Sequence, residues 1–174
     1  RGAEPRDGTG LLRRTMTDRV DEFRDACAAI ARRHDRERYL ACLYAPAERH
    51  DALLAVLAAN HEIAKTAEVV SEPGLGAIRL QWWREAFDGI EGAAPRVHEV
   101  VLPLAEAVFG HGLRLDRLRA IVDAREADLD GEPPADLDEL DRYAAASCMP
   151  HWRRCWVATR LWAGKPEPPG GCWG

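Results

Sequence analysis

Two groups of polar residues have spacings that chemistry can use. Asp123, Glu126 and Asp130 stand three and four residues apart, which lays three carboxylates along one helical face. Such a face suits Mg²⁺, which takes carboxylate oxygens and keeps part of its water. Such a run is more often simply a solvated acidic face near a helix end. Upstream, Asn60, Glu62, Lys65 and Glu68 interrupt the most apolar stretch of the chain. Burial of such groups is costly without partners, and Lys65 lies three residues from both acids and can neutralise either. Arg79, Gln81 and Trp82 follow on the next helical segment as candidates to line a cavity. Arg79 can alternatively pair with Glu72 at the surface, and Trp82-Trp83 reads as a packing pair. The six histidines show no H-E-x-x-H or paired Cys/His spacing, and no Gly-rich phosphate loop occurs.

The elements that must position these residues are helical. Val20, Phe23, Cys27, Ile30 and Ala31 recur at three- and four-residue steps, so a helix is expected from Asp18. A short helix from Arg36 stops before Pro46, and Asp51–Val70 is apolar around most of its circumference, as a helix in the middle of a bundle must be. Further helices are expected over Leu75–Ile90, Val97–Gly110, Leu115–Leu129 and from Leu137. No alternating strand pattern or hairpin signal occurs, so the fold is expected to be all-α.

The length of 174 residues fits one domain that needs no disulfides to fold. A net charge of −5 argues against a broad nucleic-acid surface, and no apolar run approaches a membrane span. Cysteines 27, 42, 148, 155 and 172 form no C-x-x-C pair and read as free thiols. Residues 1–17 read as a loose lead-in, 18–147 as the helical domain, and 148–174 as an atypical Trp/Cys/Pro-rich tail. That tail is either a disordered terminus or the product of a frameshift or splice difference near Ser147.

The stretch from Arg38 to Ile90 resembles the squalene/phytoene synthase family. The resemblance rests on Asn60-His-Glu62-Ile-Ala, Val70-Ser-Glu-Pro73, Arg79-Leu-Gln-Trp-Trp83 and Ile121-Val-Asp-Ala-Arg125, and continues to Tyr143. It is strongest to a divergent branch that includes a mitochondrial complex I assembly factor and bacterial phytoene-synthase-like proteins. The family implies an isoprenoid-synthase helical bundle, here its N-terminal portion only, around a deep cavity. Its active members use two D-x-x-x-D helices whose carboxylates hold Mg²⁺ and release diphosphate. Aligned on the family, Ala64-Lys65-Thr66-Ala67-Glu68 replaces the first motif, leaving Glu68 as its remnant metal ligand.

The resemblance thus implies a non-catalytic relative that needs no cofactor and acts in respiratory complex assembly or as a platform at a membrane surface. Its expected partner is a respiratory-complex subunit or a prenyl diphosphate or lipid. Asn60, Glu62, Lys65, Arg79, Gln81 and Trp82 are the expected cavity residues. No nucleic acid and no transmembrane segment are expected. The location is cytoplasmic or membrane-peripheral in a bacterium, or the matrix side of a mitochondrion. The alternative is a Mg²⁺-dependent head-to-head prenyl transferase drawing ligands from Glu62, Glu68 and the Asp123–Asp130 face.

Overall fold

The computed structural model describes residues 8–66, 73–130 and 135–147. Glu68, the first seven residues and the 148–174 segment lie outside the described residues. Within them the chain forms seven α-helices and no strand: α1 (Gly8–His34), α2 (Arg36–Cys42), α3 (His50–Ala64), α4 (Pro73–Glu91), α5 (Val101–His111), α6 (Leu115–Asp130) and α7 (Leu137–Ser147). A 3₁₀ turn, Ala47–Arg49, leads into α3. The all-α expectation holds.

Three boundaries differ from those read in the sequence. Helix α1 starts at Gly8, ten residues before Asp18. The expected lead-in therefore shrinks, because Leu11, Leu12 and the arginines between Gly10 and Thr17 are good helix formers that outweigh two glycines. Helix α3 ends at Ala64 with Lys65 as its C-cap, and the expected stretch beyond residue 66, to Val70, lies outside the described residues. Helix α5 begins at Val101, four residues after Val97. The ring of His98 takes the backbone N–H of Val100, so residues 98–100 form an entry turn and not a helical one.

Helix α3 is central and packs against α1, α2, α5 and α6. Leu54, Val56, Leu57 and Ile63 are buried on it, and Ala52, Ala55, Ala58 and Ala59 let its neighbours approach closely. Helix α6 buries Leu115, Leu118, Ile121 and Val122, one stripe at helical spacing. Helix α4 contributes Leu80, Trp83, Phe87 and Ile90 and packs on α5 and α6. On the other flank, Arg24 of α1 reaches Glu106 of α5 at 2.9 Å and Asp51 of α3 at 3.6 Å.

Two helix ends turn through the left-handed region. Gly112 (φ 68°) closes α5: its N–H donates to the Val108 carbonyl and that of Leu113 to the Ala107 carbonyl, a paired C-terminal cap that glycine adopts without steric cost. At the end of α4 the same role falls to Ala93 (φ 55°), with the Ala94 N–H donating to the Gly89 carbonyl at 2.8 Å. A side chain in that conformation costs about 1–2 kcal/mol.

Helices α4 and α6 carry the same charge pattern, Arg-x-x-x-Asp-x-x-Glu, at Arg84-Asp88-Glu91 and Arg119-Asp123-Glu126. Each arginine reaches across to the other helix's acids. Arg84 lies 2.9 Å from both Asp123 and Glu126, and Arg119 lies 2.6 Å from both Asp88 and Glu91.

Candidate functional site

The last turns of α3 carry the expected polar group. Glu62 and Lys65 are half-buried and paired, with Lys65 Nζ 2.9 Å from Glu62 Oε1 and 3.2 Å from Oε2. This is the i,i+3 neutralisation that their spacing suggests. Asn60 is only 6% exposed, and its Oδ1 finds no hydrogen-bond partner among the described residues. Thr66 Oγ1, also buried, is in the same position. Between them His61 stacks on His34 of α1, the ring centroids 4.1 Å apart, which ties the end of α3 to the end of α1.

His98, which the sequence reading passed over, is the link between this group and α4. Its ring lies 5.0 Å from that of Trp82 and 5.9 Å from that of Trp83. Its Nδ1 accepts the Val100 N–H at 3.1 Å. Burial lowers its pKa below the usual 6.5, opposed by the carboxylates of Glu99 and Glu62. The signal in the sequence was slight: a histidine two residues before Val100, the N-cap of an apolar helix.

Trp83 is buried and packs on Phe87, while Trp82 is half-buried against the core. Arg96 sits over the Trp82 ring at 5.5 Å and is held by Glu85 at 2.6 Å. Gln81 is exposed and donates to Glu85 at 3.5 Å. Together Ala77, Ile78, Gln81, Trp82, Arg84, Glu85 and Glu126 line an open groove of about 460 Å³ between α4 and α6. The expected cavity residues therefore separate into two places. Asn60, Glu62 and Lys65 stand on α3, whereas Gln81 and Trp82 line an outer groove and Arg79 stands half-exposed one turn before Trp83 on the same helix. Of these, Trp82 packs on His98, whose charge the Glu62 carboxylate of the first group favours.

Three of the carboxylates considered for Mg²⁺ are paired with cations, while Glu68 and the Asp130 side chain lie outside the described residues. Lys65 occupies Glu62, and Arg84 occupies Asp123 and Glu126. A cation already seated on each of these oxygens opposes a second, divalent one. No group of three or more His, Cys, Asp or Glu among the described residues is placed to hold a metal ion. Cys27 and Cys42 are buried in the core, and burial pushes both thiols up to about 12, which leaves them without nucleophilic thiolate. No helix among the described residues is long and apolar enough to cross a membrane.

Comparison with known proteins agrees with this architecture. Residues 31–150 match the family model described as squalene/phytoene synthase. Over 118 residues the chain is 36% identical to the NADH dehydrogenase (ubiquinone) complex I assembly factor 6 of Bos taurus, covering 68% of this chain and 35% of that protein. The proteins of the same name from Homo sapiens and Mus musculus are 36% and 35% identical, with the same coverage. The chain thus spans about a third of the length of the curated relatives it matches. No solved structure gave a significant match. With an all-α bundle and a family model that covers most of the domain, the chain belongs to the squalene/phytoene synthase family.

Proposed function

We propose that the chain is a non-catalytic member of its family, acting in assembly of respiratory complex I through a protein partner. The observation that carries this reading is the state of the carboxylates. Diphosphate departure needs metal ions held by free carboxylates, and here Glu62, Asp123 and Glu126 each carry a lysine or arginine. The name shared by the relatives supports the assembly role. A helical bundle that no longer binds metal still offers a folded surface, and the exposed Leu75 and Ile78 on α4 are of the kind a protein interface uses.

A position at a membrane surface, on the cytoplasmic side in a bacterium or the matrix side in a mitochondrion, belongs to the same reading. Two measurements test it. Removal of the gene from its host should lower the amount of assembled complex I on a native gel, with normal isoprenoid content. Purified protein given farnesyl or geranylgeranyl diphosphate with Mg²⁺ should form no product. Turnover abolished by Glu62→Gln would replace this reading with the prenyl transferase alternative.

A further inference from the structure

His98 occupies a position at which one proton changes several contacts. Its Nδ1 faces the Val100 N–H at 3.1 Å, and a backbone amide can only donate, so this nitrogen must be the acceptor. The bond supplies a partner to the N–H of Val100, the N-cap residue of α5, which has none within the helix. The same ring packs against Trp82 and Trp83 of α4. Two carboxylates favour its charged form, Glu99 in its own segment and Glu62 on α3. Glu62 is engaged by Lys65, and Arg96 is engaged by Glu85 while lying over Trp82. Helix α4 presents its two indoles to the ring, and α1 reaches the segment through Cys27, whose Sγ donates to the Glu99 carbonyl at 3.4 Å.

We propose that His98 is a proton-operated latch: neutral, it accepts the Val100 N–H at the entry to α5 and packs on the two tryptophans, and protonated, it releases that N–H and loosens the packing. Protonation at Nδ1 sets one N–H against another, so that bond cannot survive it. The start of α5 and the Trp82 side of α4 then change together. The sign follows from the burial described above. Because the folded protein resists charging His98, the unfolded chain binds more protons between the folded value and about 6.5. Stability from this residue is complete above that window and falls as pH drops through it.

The test uses the full chain, followed by amide NMR and tryptophan fluorescence from pH 8 to 5. In the wild type the Val100 amide should move along a one-proton curve with its midpoint below 6.5, and fluorescence should fall on the same curve. His98→Asn retains an acceptor without a titrating proton and should abolish both transitions while keeping its helix content. Glu62→Gln should shift the midpoint to lower pH, since the charge that welcomes the imidazolium is gone. A Val100 amide that stays still in the wild type overturns the latch, as does an unchanged curve in His98→Asn. Should the Asn variant not fold, equal midpoints in the wild type and Glu62→Gln overturn it instead.

Discussion

Replacing Arg84 with methionine removes one half of the reciprocal clasp between α4 and α6 while keeping an unbranched apolar stem of similar reach. The Arg84 side chain is 27% exposed, and its partners Asp123 and Glu126 are 65% and 55% exposed. Two ion pairs at that exposure are worth roughly 0.2–1 kcal/mol each. Asp123 and Glu126, left as like charges three residues apart, add about 0.2–0.5 kcal/mol of repulsion. The expected loss is therefore about 1–2 kcal/mol, a fall in Tm of roughly 2–8 °C for a chain of this size. Thermal melts followed by circular dichroism measure it. In about 1 M NaCl, where the screening length shrinks to about 3 Å, the difference from wild type should shrink by half or more. The same melts test the metal argument. About 10 mM MgCl₂ should raise the wild-type Tm no more than NaCl of equal ionic strength does, because Arg84 already holds the acidic face. A Mg²⁺ site filled a hundredfold over its Kd would add about 2.7 kcal/mol. A wild-type rise of that size, or an Arg84→Met loss above about 4 kcal/mol that salt does not reduce, refutes the reasoning.

Other changes have expected outcomes of their own. Ala93→Gly should leave stability level or raise it by up to about 1 kcal/mol, since relief of the left-handed strain outweighs the added freedom of the unfolded chain. Gly112→Ala, at the left-handed residue after α5, should cost about 1–2 kcal/mol, and urea titration of the two variants compares the signs. Leu57→Ala, at the centre of α3, should cost about 2–5 kcal/mol by the same assay. Native protein treated with iodoacetamide near pH 8 should show no label on Cys27 or Cys42 by peptide mass mapping, and both should label in urea. Rapid native labelling at either would contradict their burial.

What was legible in the sequence was what depends on neighbours along the chain. The apolar circumference of Leu53–Ile63 marked α3 as the central helix, and the three-residue spacing of Glu62 and Lys65 announced their ion pair. What was not legible depends on distant partners. Asp123 and Glu126 looked free for a metal because the arginine that holds them lies 39 and 42 residues earlier. Likewise, nothing local to His98 told that α4 would bring two indoles to its ring. Gln81 and Trp82 were expected with Asn60 and Glu62 in one cavity, but α4 packs on α5 and α6 and carries the Gln81 edge outward.

The matched Arg-x-x-x-Asp-x-x-Glu strings on α4 and α6 also govern how those two helices can meet at all. Run in opposite directions at the observed offset, every arginine finds acids. Slide one helix along the other by a turn, or reverse it, and guanidinium begins to face guanidinium and carboxylate to face carboxylate. Leucine, isoleucine and phenylalanine in the seam would tolerate such a slip, since grease has little sense of position. The charges act as teeth, so a small energetic contribution to the finished fold becomes a large one to choosing the correct alignment among compact alternatives.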